Sequence, residues 1–422
     1  MKKLLSCFLT LFVAALFLPS CAKKDTNVLR VMYYSCAELN PLWQQTVAEF
    51  QKKHPGIKVR MELIVNQVQL QTQMAANAAP DVIYIASKSL ADFGKRGALL
   101  DLREYIYRDK YDIDDIVKPA FDESAVPTGE IYGIPVTGGP EVLYYNKTLF
   151  DTAKVAYPTP SWTWKEYADA AKKLTVDTNK DGTDDQKGTL APITYWAGAL
   201  PWIWPAGGDM FNKDLTRCVV NSKQAQYAMQ YWVDLINAKS TTTGTAMSEM
   251  GNSTELFMTN RVAMMVYVPW ATISEFCKNQ QLNWDVTLPP KGPDGTRVPR
   301  YTGESFCIWS GSKYKPESWE LVKMLTSKDT AKFIAKAKWV PVRWSVLASP
   351  DFIRPDTPYK EEVFVESLKY ARGLPSVPKL GGQGGGLAEI WSKNMDLSWR
   401  GDLTVPQALK NIEDGVNKLL SE

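Results

Sequence analysis

The chain has 422 residues, 45% of them hydrophobic and 23% charged, with 26 Gly and 26 Pro. This ordinary globular mixture excludes collagen-like, coiled-coil and wholly disordered classes, and the length implies a core split into two lobes of roughly 200 residues. The formal charge is only +3 and there is one histidine. No basic run is longer than a Lys-Lys pair, so nucleic acid is excluded as a partner, as are His-cluster metal sites.

In chain order, Met1–Lys3 form a short positive segment, residues 4–18 are almost wholly apolar, and Leu18-Pro19-Ser20-Cys21 follows. That apolar run is too short for a membrane span and reads as an export signal over residues 1–20. It resembles the bacterial lipoprotein signal, which implies a lipid on Cys21; a plain secretory signal beside a coincidental cysteine is the alternative. Residues 21–27 are then a polar tether. No later apolar run approaches eighteen residues, so the mature chain is expected to be exported and held by its lipid, facing the periplasm or cell exterior. Cys36, Cys218, Cys277 and Cys307 include no C-x-x-C pair. An oxidising compartment permits disulfides among them, Cys277 with Cys307 being one pairing, and free buried thiols fit equally.

Residues 29–34 read as a strand. Trp43, Val47 and Phe50 share one helical face before the stop at His54-Pro55-Gly56. Ile57, Val59, Met61 and Leu63 alternate with charged residues, and residues 81–85 are a continuous apolar strand. This strand–helix order predicts an α/β domain with a largely parallel sheet. Helices are predicted over 164–174, 222–238, 317–326, 389–396 and 406–420, and strands over 262–268 and 305–309. Residues 381–386 are a glycine-rich loop.

Asp177, Asn179, Asp181 and Asp185 place oxygens at positions 1, 3, 5 and 9 of a calcium-type loop, with Gly182 at position 6. Position 12 is Gly188 instead of the bidentate Glu. The segment is therefore either a structural calcium site completed from elsewhere or a polar turn. No other cofactor is required. No G-x-S-x-G, G-x-x-x-x-G-K-[ST] or H-E-x-x-H motif occurs, and His54 sits beside a proline in a turn, a poor place for a catalytic base.

Three stretches carry a resemblance. They are Phe50-Gln-Lys-Lys-His54-Pro-Gly-Ile-Lys-Val59, Ala79-Pro-Asp81-Val-Ile, and Tyr132-Gly-Ile-Pro135 followed by Leu143-Tyr-Tyr-Asn146-Lys147. Phe257–Trp270, Leu288-Pro289 and Val340-Pro341-Val-Arg343 continue the same order. Their succession resembles the bacterial extracellular solute-binding proteins, the family that includes maltose-binding protein and serves ATP-driven importers. The resemblance implies the type II periplasmic-binding-protein fold, two α/β lobes joined by a hinge. It implies a first lobe of residues 28–138 with 303–345 and a second of 141–299 with 350–422. The implied activity is non-enzymatic: capture of a sugar or oligosaccharide by a lipid-anchored monomer that delivers it to ABC permease subunits. A secreted glycoside-acting enzyme and an adhesive surface lipoprotein are the alternatives, separated from it by turnover and by the absence of ligand-induced closure.

A sugar needs flat aromatic faces and a few polar groups at its rim. Trp196, Trp202 and Trp204 cluster between prolines, as contacts or as core, and Trp270 follows Pro269 at a strand end. Polar candidates at strand ends are Tyr34, Ser35, Glu38 and Asn40, then Ser87 and Lys88. Lys88 stands where the resemblance places a carboxylate in maltose-binding protein, which leaves room for an acidic or phosphorylated sugar. Glu141 and Glu304 are cleft candidates or hinge charges, and Arg343 pairs either with an anion or with a structural carboxylate. Asp81 reads as a cap.

Overall fold

Strand β1 (Val28–Tyr33) leads into α1 (Asn40–Lys53), which Pro41 opens and where Lys52 and Lys53 complement the C-terminal dipole. Trp43, Val47 and Phe50 are buried as their spacing predicts, each burial contributing about 1.5–3 kcal/mol. The chain turns at His54, whose ring stacks on Phe50 at 4.4 Å. Strand β2 (Lys58–Leu63) is a half-exposed edge strand whose Lys58, Arg60 and Glu62 discourage further pairing. The cross-strand ion pair Arg30–Glu62, at 2.7 Å, helps to fix its register. The computed structural model describes residues 27–422 except positions 35, 64–66, 125–127, 183, 192–193, 195–197, 243–251, 271–274, 356, 376, 378–379 and 381–385.

Strand β3 (Val82–Ala86), a helix α2 (Lys118–Ser124), and strands β4 (Ile134–Pro140) and β5 (Val142–Asn146) follow. Helices α3 (Trp164–Lys173) and α4 (Lys223–Asn237) are capped by a Thr163–Glu166 box and by Ser222. Next come β6 (Met264–Tyr267), β7 (Trp284–Thr287) and β8 (Tyr301–Ile308), then α5 (Lys315–Leu325), α6 (Gly386–Trp399) and α7 (Val405–Ser421). The first sheet has the order β2-β1-β3-β8-β4, and the second has β6-β5-β7.

The architecture is α/β with two sheets, and the first sheet is largely parallel as predicted, with one strand reversed. In the first sheet β1, β2, β3 and β4 point the same way and β8 runs antiparallel to both β3 and β4, while every pairing in the second sheet is antiparallel. The reason is topological. Strand β8 returns to the first sheet from the second lobe and enters it from the hinge end. Helical and strand periodicity do not encode that direction.

The hinge is a ribbon of three chain segments. Glu141 N–H donates to the Arg300 carbonyl, Tyr301 N–H to the Arg372 carbonyl, and Arg372 N–H to the Pro299 carbonyl, all at 2.8–2.9 Å. One apolar core runs from the first sheet through this ribbon to one face of the second, joining Trp43, Phe306 and Trp319 with Tyr144 and Trp284. A second core lies on the other face of the second sheet, among α3, α4, α6 and α7.

Candidate functional site

At the hinge end of the first sheet three strands meet in register: Ala86 of β3 opposite Glu304 of β8, and Glu304 opposite Thr137 of β4. The Thr137 hydroxyl donates to Glu304 Oε2 at 2.7 Å and lies 3.1 Å from the Tyr84 hydroxyl, so one carboxylate oxygen is held from beneath. Burial raises the Glu304 carboxyl above its ordinary range, with the Thr137 hydroxyl and Lys88 pulling the other way. Tyr34, just past β1, is 37% exposed and meets Tyr84 edge-on at 6.0 Å. Its phenol is also raised, by burial and then by the Glu304 charge.

Glu304 opens into a hollow between the lobes with Gly138, Gly139 and Thr302 as its floor and Trp270, Pro269, Trp339 and Val340 as its walls. Its floor must be glycine. Gly138 has φ +152°, and a Cβ there would lie 2.4 Å from the Tyr301 hydroxyl. A Cβ on Gly139 would lie 2.6 Å from Pro269 of the opposite lobe. Trp270 is 40% exposed and leans on Tyr267 at 5.5 Å. A neighbouring hollow is lined by Tyr34, Ala86, Lys88 and Ser89. Burial and the Arg300 charge lower the Lys88 ammonium to about 8, against Glu123 and Glu304. Together the two hollows offer aromatic faces, a held carboxylate, an ammonium and a phenol, which is the inventory for binding a polyhydroxylated ring.

The structure brings Tyr34, Lys88, Trp270 and Glu304 together and sends the other described candidates elsewhere. Glu38 bonds the Cys36 thiol at 3.2 Å and pairs with Lys278 of the second lobe. Asn40 accepts the Cys36 N–H at 3.1 Å, a turn contact. Ser87 is buried and shares a 2.8 Å bond with Ser305 beneath the cleft. Glu141 is 1% exposed and bonded to Arg300 Nε at 3.0 Å, a hinge ion pair and not a ligand contact. Burial pushes its carboxyl up to about 7 despite Arg300. Arg343 is likewise corrected to a structural role. Its buried guanidinium donates to the Thr326 carbonyl, the Tyr111 hydroxyl and Asp115, so it crosslinks loops.

Trp202 and Trp204 are core residues, because the segment that their prolines suggested was a loop is a short helix, Leu200–Ile203, running into a 3-10 turn at Trp204–Ala206 with both indoles buried. Trp202 meets Trp232 edge-on at 4.8 Å, and the Trp204 indole N–H donates to Asp209 at 3.1 Å. Ser35, Trp196 and Cys21 lie outside the described residues. Asp81 caps as expected, accepting from Arg30 N–H and the Ser312 hydroxyl.

The 177–185 segment is closed by its own bonds. Asp177 accepts from the N–H groups of Lys180 and Gly182, and Asp185 from those of Thr178 and Asn179. Among the described residues no group of three acidic, His or Cys side chains is placed to hold a metal ion. The four described cysteines are free thiols. Cys307 lies inside the first sheet with its Sγ donating to the Ile83 carbonyl, whereas Cys277 belongs to the second lobe, so the Cys277–Cys307 pairing is not formed.

Sequence reasoning did not assign Thr137, Gly138, Gly139, Thr302 or Trp339 to the cleft. Trp339 carried a readable signal, since it immediately precedes the Val340-Pro341-Val342-Arg343 stretch. The others are small residues whose role comes from the strands meeting at the hinge.

The family model described as bacterial extracellular solute-binding protein matches residues 37–332. A binding protein of Brucella abortus (strain 2308) is 28% identical over 340 residues, covering 78% of this chain and 79% of that protein. The galactooligosaccharide-binding protein of Bacillus subtilis (strain 168) is 22% identical over 421 residues, covering 93% and 90%. Among solved structures, an ABC substrate-binding protein from Listeria monocytogenes in complex with cycloalternan superposes with a TM-score of 0.81. It is 26% identical, covering 94% of this chain and 99% of that one.

Proposed function

The chain belongs to the family of bacterial extracellular solute-binding proteins, and we propose that it is the capture subunit of an ABC importer for a sugar or oligosaccharide. The observation that carries this reading is the cleft itself. Glu304 is held by Thr137 between Trp270 from one lobe and Trp339 from the other, over a floor of two glycines. A sugar ring laid against an indole leaves its hydroxyls at the edge, where a fixed carboxylate accepts them. Two similar proteins, a galactooligosaccharide binder and a protein solved with cycloalternan, support the same class.

The mechanism is hinge closure. Ligand contacts from both lobes favour the closed form, and the permease subunits recognise that form. A micromolar affinity, about −8 kcal/mol, is within reach of two indole faces and several hydrogen bonds. The protein returns its ligand unchanged and is a monomer tethered through lipid on Cys21, with the lobes facing outward. Calcium in the 177–185 segment would be structural and outside this cycle. The test is titration of residues 22–422 with mono-, di- and oligosaccharides, uronates and sugar phosphates, read by tryptophan fluorescence and thermal stability. A saturating shift with intact sugar recovered supports the reading. Cleaved sugar, or no shift from any of these ligands, refutes it.

A further inference from the structure

Beside the hinge ribbon, one buried cation lacks a counter-charge. Three other arginines that the fold encloses have theirs: Arg300 pairs with Glu141, Arg343 with Asp115 and Arg354 with Glu361. Arg297 is 6% exposed. One terminal nitrogen of its guanidinium donates to the Pro160 carbonyl; the other is shut off from solvent with no hydrogen-bond partner among the described residues. Glu366, a carboxylate that acts on it through space, is held instead by Lys369 at 2.5 Å and by the Tyr370 hydroxyl at 3.1 Å. The backbone fixes the guanidinium in this place. Lys291 N–H donates to the Trp162 carbonyl and Trp164 N–H to the Lys291 carbonyl, and a turn closed by Gly292 N–H on the Thr296 carbonyl brings the chain back past Pro160. Pro299 and Arg300 then run beside Arg372 on the ribbon's third segment. Tyr370, on that segment and 43% exposed, sets its ring against the guanidinium, 5.9 Å from centroid to Cζ.

A charge taken out of water without an opposite charge is strongly unfavourable, and a buried group usually escapes by changing its protonation. Arginine has no such escape, because its guanidinium keeps its proton in proteins. We infer that Arg297 is an anion site: a small oxyanion of the phosphate or sulfate type enters beneath Tyr370 and accepts from the terminal nitrogen that the protein leaves unbonded. The guanidinium fork suits two oxygens of such an ion, and the charge-assisted bonds it forms are stronger than those to a neutral carbonyl. Entry requires only that the exposed Tyr370 ring swing aside, at the cost of one surface hydrogen bond to Glu366, four residues back on the same segment. The bound ion would sit where the Pro160 loop of the second lobe meets the ribbon, so its occupancy reinforces that end of the hinge. The site is complete without a sugar.

The experiment uses the sugar-free mature protein near neutral pH, with sodium phosphate, sodium sulfate and sodium chloride compared at matched ionic strength. Thermal unfolding and calorimetric titration of the same anions are read together. Phosphate and sulfate strengthen apolar burial in any protein, so the signal is the difference between wild type and Arg297→Met, which keeps the bulk of the side chain and removes the guanidinium. In wild type at least one of the two oxyanions should raise the melting temperature along the logarithmic curve of a saturable site and give a heat of binding, while chloride does neither. Arg297→Met should keep only the shallow shift common to both proteins and bind the ion about tenfold more weakly or worse. Glu366→Gln removes the carboxylate that faces the same guanidinium and should bring saturation at an oxyanion concentration about threefold lower. It is also the second arm should Arg297→Met fail to fold. Equal shifts in wild type and Arg297→Met, which a water in place of the ion or a general salt effect would give, overturn the inference. So does an unchanged saturation point in Glu366→Gln. Because no sugar is present, a failure here leaves the sugar reading standing, and the reverse also holds.

Discussion

Arg300→Met tests the account of the hinge most severely. The substitution keeps the bulk of the side chain and removes a guanidinium 3.0 Å from a carboxylate that is 1% exposed. Glu141 retains only the Arg300 backbone N–H, at 3.4 Å. Stranding one member of a buried ion pair costs about 3–5 kcal/mol. The loss has a ceiling, because the carboxyl can take up a proton instead. In wild type it is already raised to about 7 by burial, and losing Arg300 raises it further. A raised folded-state value gives stability that is present at low pH and disappears as pH rises through that value. Because the wild-type carboxyl itself takes up a proton below about 7, the variant's deficit should shrink by about 1.4 kcal/mol per pH unit on acidification down to that value and stay flat below it. Denaturant unfolding at about pH 9 should show a loss of about 3–5 kcal/mol, and at about pH 6 a loss of about 1–2 kcal/mol. The double variant Arg300→Met with Glu141→Leu should recover most of it, since an apolar pair of similar volume replaces a buried ion pair at little cost. A loss below about 1 kcal/mol at about pH 9, or the same loss at both pH values, would refute the reasoning.

Trp270→Ala and Trp339→Ala should each weaken sugar binding by about tenfold in a fluorescence or calorimetric titration, with Trp270→Ala scarcely moving the melting temperature. Trp202→Ala should do the reverse, costing about 3–5 kcal/mol of stability in denaturant unfolding. Arg343→Met should cost about 3 kcal/mol, because it strands the carbonyls and Asp115 that the guanidinium joins, and should leave ligand affinity unchanged by calorimetry. Lys278→Ala removes the bridge from the second lobe to Glu38; Lys278 is largely exposed, so the effect on affinity should stay within about 1 kcal/mol and vanish in high salt. Asp185→Ala should lower the melting temperature equally with calcium and with chelator, since its oxygens already hold Thr178 and Asn179; a calcium-dependent difference would reinstate the ion.

Local patterning carries much of this protein. The face of Trp43, Val47 and Phe50, the alternation of 57–63 and the stop at His54-Pro55-Gly56 each depend on neighbours within one or two turns, so they can be read before the chain folds. Tyr34, Lys88 and Trp270 were legible for a related reason, since a side chain just past a strand end tends to face the crevice.

Glu141, Arg343, Trp202 and Trp204 were not legible. A buried carboxylate and a cleft carboxylate look the same in a sequence until the partner is known, and the partners here are Arg300, 159 residues away, and Asp115, 228 residues away from Arg343. Trp339 and Gly138 gain their meaning only when distant segments close on one hollow. The sequence by itself determined the class, the helices and strands that depend on nearby residues, and the family to which the chain belongs. Only the tertiary structure decided the direction of β8, the bonds that knit the hinge segments together and which charged or aromatic side chains reach the cleft. Those depend on contacts made across the fold, where burial turns the same residue type into a strut, a core residue or a binding group.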